Sequence, residues 1–215
     1  MSIEFYKKVP KDLAGNLAYR AMLRRRAEKD EGFQRAMCEA SRLDVLFFFN
    51  SHGWLYEPRT RRGSDGRILP KVIPFITWGH QDLAILEINK NLGLKDIGIE
   101  KSRGEGASWM SVWFAIRDFV FDPMTNIGLV SKDEDSADNP DNPDSLMWKI
   151  CWGLDQLPPW MRPATERKVA THTLVNKENG SVITAFAATG DVASGGRKKW
   201  FLMDELAKFK RGPDA

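Results

Sequence analysis

From residue 96 to residue 203, short apolar runs alternate with longer stretches of helical periodicity, and that alternation restricts the fold more than any other feature of the chain. Residues 96–100, 125–130, 171–174, 181–186 and 199–203 read as strands, with Asn179-Gly180 as the turn between two of them. Residues 108–120, carrying Trp109, Trp113, Phe114 and Phe119, and residues 145–155 read as helices. Strand, crossover and strand in this order predict an α/β core, with helices on the faces of a mostly parallel sheet. With 215 residues, 42% of them hydrophobic and 28% charged, the chain suffices for one domain with a large core and a helical appendage.

The appendage comes first. Residues 13–27 and 33–43 carry apolar residues at helical spacing, and Arg24, Arg25 and Arg26 close the first of these helices. Arginines late in a helix suit its dipole, so these read either as a solvated face or as a contact to DNA or a neighbouring subunit. The apolar run 45–49 is a short strand or a buried helix end. Residues 53–72 are broken by Gly53, Pro58, Gly63, Gly66 and Pro70 and carry Arg59, Arg61, Arg62 and Arg67, a loop or loose hairpin. A helix over 81–91 follows. Residues 1–67 hold 14 Lys/Arg against 9 Asp/Glu, which permits nucleic-acid contact without demonstrating it. The boundary is expected at 70/71: residues 1–70 as a helical leading segment, 71–215 as the core.

Other classes recede. No apolar run approaches the roughly 18 residues of a membrane span, and residues 1–11 lack a signal-peptide core. Cys38 and Cys151 are too few for a disulfide framework, which points to a reducing cytoplasm. His52, His80 and His172 lack metal spacing. The acidic run 132–144 reads as an exposed loop after a strand.

The chemistry concentrates at two places. Lys101, Ser102, Arg103, Gly104, Glu105, Gly106, Ala107 and Ser108 lie between an expected strand and a helix. Small residues there let backbone N–H groups turn onto phosphates at a helix N-terminus. Gly106 and Ser108 fit the usual phosphate-loop pattern, but Ala107 stands where its lysine belongs and Lys101 where its first glycine does. Lys101 and Arg103 are then the local cations for the β- and γ-phosphates, and Ser108 would place its hydroxyl on Mg²⁺. A tight strand-to-helix turn is the plain alternative. The second place is Asp204-Glu205, after the apolar run 201–203. Ligands bind at carboxyl strand ends in α/β sheets. Asp204 would orient Mg²⁺ and Glu205 would polarise the attacking water; helix capping is the alternative. Gln81, with one donor and one acceptor group, is a candidate for reading an adenine edge, or simply a helix-start residue. The polar loop 189–198, running into Arg197, Lys198 and Lys199, would contact DNA or a neighbouring subunit's phosphate, or is an ordinary solvated connection.

Taken in order, these segments resemble the N-terminal ATPase part of the large terminase subunit of tailed bacteriophages, the motor that packages double-stranded DNA. Leu17-Ala18-Tyr19-Arg20 through Arg26 looks like that family's leading helix; Leu46–Asn50, Trp54 and Tyr56-Glu57-Pro58-Arg59 look like the segment that follows it. Pro74-Phe75-Ile76 with Gln81 is similar to its adenine motif. Glu100–Arg103 with Gly106–Trp109 resembles its deviant phosphate loop. Asn179-Gly180-Ser181, Ala187–Gly190 and Gly195-Gly196-Arg197 look like its central region, and Asp204-Glu205 matches its acidic pair.

The resemblance implies a P-loop NTPase (RecA/ASCE-like) core that binds ATP and Mg²⁺. Gln81 and residues 101–108 would hold nucleotide, Ser108 and Asp204 the metal, with Glu205, Arg103 and Lys101 catalytic. Implied partners are double-stranded DNA, other large subunits in a ring, the portal protein and the small terminase subunit. The implied location is the host cytoplasm. The family continues after the acidic pair with further strands, a γ-phosphate sensor and a nuclease domain, whereas this chain stops ten residues past Glu205. The expectation is therefore a partial core lacking its C-terminal strands and nuclease. Two other readings share these residues: a helicase-like nucleic-acid-dependent ATPase, and an inactive terminase piece that binds DNA or partners without turnover.

Overall fold

The structure, a computed structural model, describes residues 4–100, 104–188, 197–206 and 209. The chain divides into two compact units, Met1–Asn91 with Gln156–Met161, and Leu92–Asp155 with Arg162–Ala215. Residues 71–91 therefore cluster with the leading segment.

The first unit is mainly helical. A 3-10 turn precedes α1 (Leu13–Ala27), α2 (Glu31–Leu43) and α3 (Val45–His52). Each of the three helices starts the same way. Asp12, Asp30 and Asp44 accept, through their side chains, the backbone N–H three residues on, satisfying a donor that the helix itself leaves open. Every residue of α3 is buried, Phe48 and Phe49 among the largest, so the run 45–49 is the buried helix. β1 (Trp54–Tyr56) and β2 (Val72–Pro74) pair antiparallel. The hairpin between them continues through Glu57 N–H to Lys71 C=O at 2.8 Å, Leu69 N–H to Arg61 C=O at 2.9 Å and an Arg62–Ile68 bridge. α4 (Gly79–Asn91) follows.

The second unit is α/β. It contains α5 (Ala107–Phe121), β3 (Asn126–Ser131), α6 (Glu134–Ala137), α7 (Leu146–Gln156), β4 (Thr165–Lys168), β5 (Thr173–Asn176), β6 (Val182–Ala187) and β7 (Trp200–Met203). The five strands form one sheet in the order β4-β5-β6-β3-β7. β3 runs parallel to both β6 and β7, whereas β4–β5 and β5–β6 are antiparallel. The sheet is mixed, which corrects the mostly parallel expectation. The reason lies in the Asn179-Gly180 turn: a connection this short makes a hairpin, and parallel strands need a crossover of a dozen or more residues.

Two further differences have local causes. Residues 96–100 form no strand: they are exposed and unladdered, and Asp96, Gly98 and Glu100 are poor strand formers. β4 was not foreseen, because Thr165-Glu166-Arg167-Lys168 is a polar, mostly exposed outer strand without an apolar face.

α5 is clasped to β7 at both ends. Near its C-terminus, Asp118 accepts from Lys199 Nζ at 2.9 Å and from Trp200 Nε1 at 3.0 Å, where β7 begins. Near its N-terminus, Ser108 meets Asp204, where β7 has just ended. Ten helical residues span about 15 Å and four strand residues about 13 Å, so the two elements match in length. The last carbonyls of α5 are capped by the β5–β6 turn. Asn176 Nδ2 donates to Phe119 C=O at 2.9 Å and Asn179 Nδ2 to Val120 C=O at 3.1 Å.

Candidate functional site

The start of α5 and the carboxyl ends of β3 and β7 meet at one edge of the sheet. Gly106 is the N-cap of α5 and adopts φ 71°, and Gly104 has φ 89°; this is left-handed backbone that glycine takes without a Cβ penalty. A Cβ on Gly104 would find no atom of the described residues within 4 Å. Ala107 is buried as the first residue of α5, so its methyl group packs into the unit. Glu105 and Ser108 are half-buried. Lys101, Ser102 and Arg103 lie outside the described residues.

Ser108 Oγ donates to Asp204 Oδ2 at 3.1 Å and lies 3.4 Å from Oδ1. Ninety-six residues of chain separate these two groups. Asp204 is set by the β3–β7 ladder: its N–H donates to Val130 C=O at 3.0 Å, and its Oδ1 lies 3.1 Å from the N–H of Glu205. Asp204 and Glu205 form a turn, and Glu205 holds φ 55°, a conformation uncommon for a residue with a side chain. Glu205 Oε2 lies 3.6 Å from Lys132 Nζ. Lys132 follows β3 directly and was not among the residues foreseen. It opens an acidic run, and its partner stands 73 residues further on, so no local spacing joins the two.

Lys149, on the first turn of α7, donates to Asp144 C=O at 2.7 Å. Burial pulls its ammonium below the usual lysine range, while the charges of Asp144, Asp204 and Glu205 oppose that shift. Lys149 therefore contributes positive potential to the same edge of the sheet.

The other candidate residues lie elsewhere. Gln81 belongs to the first unit and is buried; its Oε1 accepts the Trp78 N–H at 2.9 Å, at the start of α4. That is how a glutamine at the third helical position satisfies an open donor. Residues 189–196 of the polar loop lie outside the described residues. Lys198 Nζ donates to Asn126 Oδ1 at 2.9 Å, and Lys199 Nζ to Asp118 at 2.9 Å and Asp122 at 2.6 Å. Burial opposes the Lys199 ammonium, but the Asp122 and Asp118 hydrogen bonds outweigh it and hold its pKa above the usual value. These two cations serve the fold of the second unit.

A hydroxyl and a carboxylate brought together at a helix N-terminus are hard oxygen donors, the type Mg²⁺ selects. Among the described residues, no three His, Cys, Asp or Glu side chains converge as a closed metal cage. No described helix is long and apolar enough to cross a membrane. No protein-family model matches the chain, and no curated protein matches it either.

Proposed function

We propose that the second unit binds ATP with Mg²⁺, as the ATPase part of a terminase-like DNA-packaging motor. The observation that carries the reading is the Ser108–Asp204 contact, 3.1 Å across 96 residues, at the meeting of a glycine-bearing helix start and a carboxyl strand end. Ser108 and Asp204 would hold Mg²⁺, which would neutralise charge on the phosphates. Gly104, Gly106 and the open N–H groups of α5 would face the phosphate oxygens. Glu205 would accept the proton of a water whose oxygen bonds to the γ-phosphorus. The bond from that phosphorus to the bridging oxygen breaks, giving ADP and phosphate. The basic first unit supports double-stranded DNA as the polymer on which such turnover would act.

A purely structural clamp between α5 and β7 would use the same Ser–Asp contact, and calorimetry separates the two. ATP is titrated with and without Mg²⁺ into the wild type, Ser108→Ala and Asp204→Asn; the last keeps an acceptor for Ser108. The nucleotide reading expects Mg²⁺-dependent binding in the wild type and at least about tenfold weaker binding in both variants, since hydrogen bonds to charged groups carry about 1.5–3 kcal/mol. Equal affinity in all three proteins would leave only the clamp. Phosphate release by the wild type against Glu205→Gln then tests the role of the second carboxylate.

A further inference from the structure

Ala107 leaves the candidate phosphate loop without the lysine that such loops carry at that position, and its methyl group is buried. Four described lysines of the second unit are not equivalent. Lys198 and Lys199 are held by Asn126, Asp118 and Asp122, and Lys149 by the Asp144 carbonyl. Lys132 instead reaches the acidic pair itself, Nζ 3.6 Å from Glu205 Oε2. The main chain fixes where its side chain starts. β3 ends between its two parallel neighbours, with Asp204 N–H on Val130 C=O at 3.0 Å and Ala188 N–H on Ser131 C=O at 2.7 Å. Lys132 thus leaves the sheet at the carboxyl end of its central parallel strand, where open α/β sheets bind ligands.

We propose that Lys132 supplies a further phosphate-binding ammonium, beside the Lys101 and Arg103 cations expected from the sequence, taking the terminal phosphate of a bound nucleoside triphosphate and resting on Glu205 when no triphosphate is present. The inference rests on the nucleotide reading of the site. Both partners of the resting pair are more than a third exposed, at 37% and 39%, so the pair is weak and readily exchanged. A terminal phosphate offers more charge and three acceptor oxygens, and a lysine is a compact charge on a long, rotatable stem. Moving Lys132 to phosphate removes one cation from beside Glu205, with Lys149 still acting on the acidic pair. Arrival of the triphosphate and loss of the Lys132 contact from Glu205 are then one event, which a diphosphate does not trigger.

The test is calorimetric titration of Mg²⁺-ATP and Mg²⁺-ADP into the wild type, Lys132→Ala, Lys132→Gln and Lys132→Arg. Lys168→Ala serves as a surface control, its Nζ lying 3.7 Å from Glu166 on β4. Loss of a charge-assisted phosphate contact should weaken ATP about 10- to 100-fold in the Ala and Gln variants. ADP should change less than about threefold, and Lys132→Arg and Lys168→Ala should stay within about threefold of wild type for both nucleotides. A wild type that binds neither nucleotide overturns the reading of the site, and this inference with it. A wild type that binds both, with Lys132→Ala and Lys132→Gln unchanged or weakened equally for ATP and ADP, overturns this inference alone.

Discussion

Arg20 and His52 are both buried in the first unit, 4% and 5% exposed. Arg20 donates from Nε to Asn16 Oδ1 and from Nη2 to Asn50 C=O, each at 2.7 Å, and its guanidinium lies 4.8 Å from the centre of the Trp54 ring. Its Nη1 and the Nε2 of His52 are buried with no hydrogen-bond partner among the described residues. Burial and then the charge of Arg24 lower the Arg20 pKa to about 9. Burial, reinforced by Arg20 and Arg24, lowers His52 from 6.5 to about 3. His52 is therefore neutral in the folded protein over a range in which the unfolded chain takes up a proton. A group depressed in this way contributes stability that is complete above its unfolded value and is lost as pH falls toward its folded value. Between pH 7 and pH 5 the wild type should lose about 2 kcal/mol more than His52→Phe, which keeps an aromatic ring beside Phe47 and Phe48 and cannot titrate. Denaturant unfolding of both proteins at the two pH values measures the difference. Parallel losses would mean that His52 is protonated, and solvated, in the folded state.

Among the elements, β3 and β7 meet with Gly128 paired to Phe201. A Cβ at Gly128 would stand 2.2 Å from Phe201 Cδ1, so the ring occupies the space a side chain would need. Gly128→Ala should cost about 1–3 kcal/mol by overpacking, and Phe201→Leu in the same chain should recover part of it. Thermal unfolding of the two single variants and the double variant checks this; strictly additive losses would show that the ring does not fill that space. The close approach has no counterpart in the sequence pattern, in which Gly128 merely interrupts an apolar run. The sequence made most of the elements legible: the expected strands 125–130, 171–174, 181–186 and 199–203 form as β3, β5, β6 and β7 within two residues of their bounds. α1, α2, α4, α5 and α7 fall within two residues of their expected bounds, because periodic apolar residues are a local signal. Strands depend on partners. β4 has a polar composition and forms by pairing with β5, whereas 96–100 has alternating isoleucines but no ladder. The candidate site divides the same way. Ser108 and Asp204 could each be read from the end of its own element, and the structure brings them together. Gln81 sits as a helix-start residue, and Lys132 becomes visible only once β3 and β7 are neighbours.

At the scale of the molecule the charge is uneven. Residues 1–67 carry 14 Lys/Arg against 9 Asp/Glu, and the whole chain 32 against 29, so the remainder carries 18 against 20. Within the first unit the exposed surplus gathers on the β1–β2 hairpin, where Arg59, Arg61, Arg62, Arg67 and Lys71 face only Glu57 and Asp65. Hydrogen bonds across the hairpin set these arginines on a paired ribbon, so less ordering entropy opposes binding than on a loose loop. Arg59 is matched by Glu57 at 2.8 Å and Arg67 by Asp65 at 3.4 Å; both arginine side chains are still at least 79% exposed, and such exposed pairs are weak. Duplex DNA offers a phosphate charge about every 1.7 Å along its axis, and each one neutralised releases counterions. If three to five of these cations contact phosphate, affinity for a short duplex should fall about 40- to 500-fold between 50 and 200 mM salt, without dependence on base sequence. Replacing Arg61, Arg62 and Arg67 together by Ala should flatten the slope of log affinity against log salt by about 2.7. Fluorescence anisotropy on two unrelated duplexes of equal length measures both quantities. The hairpin is the DNA-facing element only if the triple variant loses slope on both duplexes alike; an unchanged slope would move the contact to other basic surfaces of the chain, and a salt-independent affinity would remove DNA as the polymer.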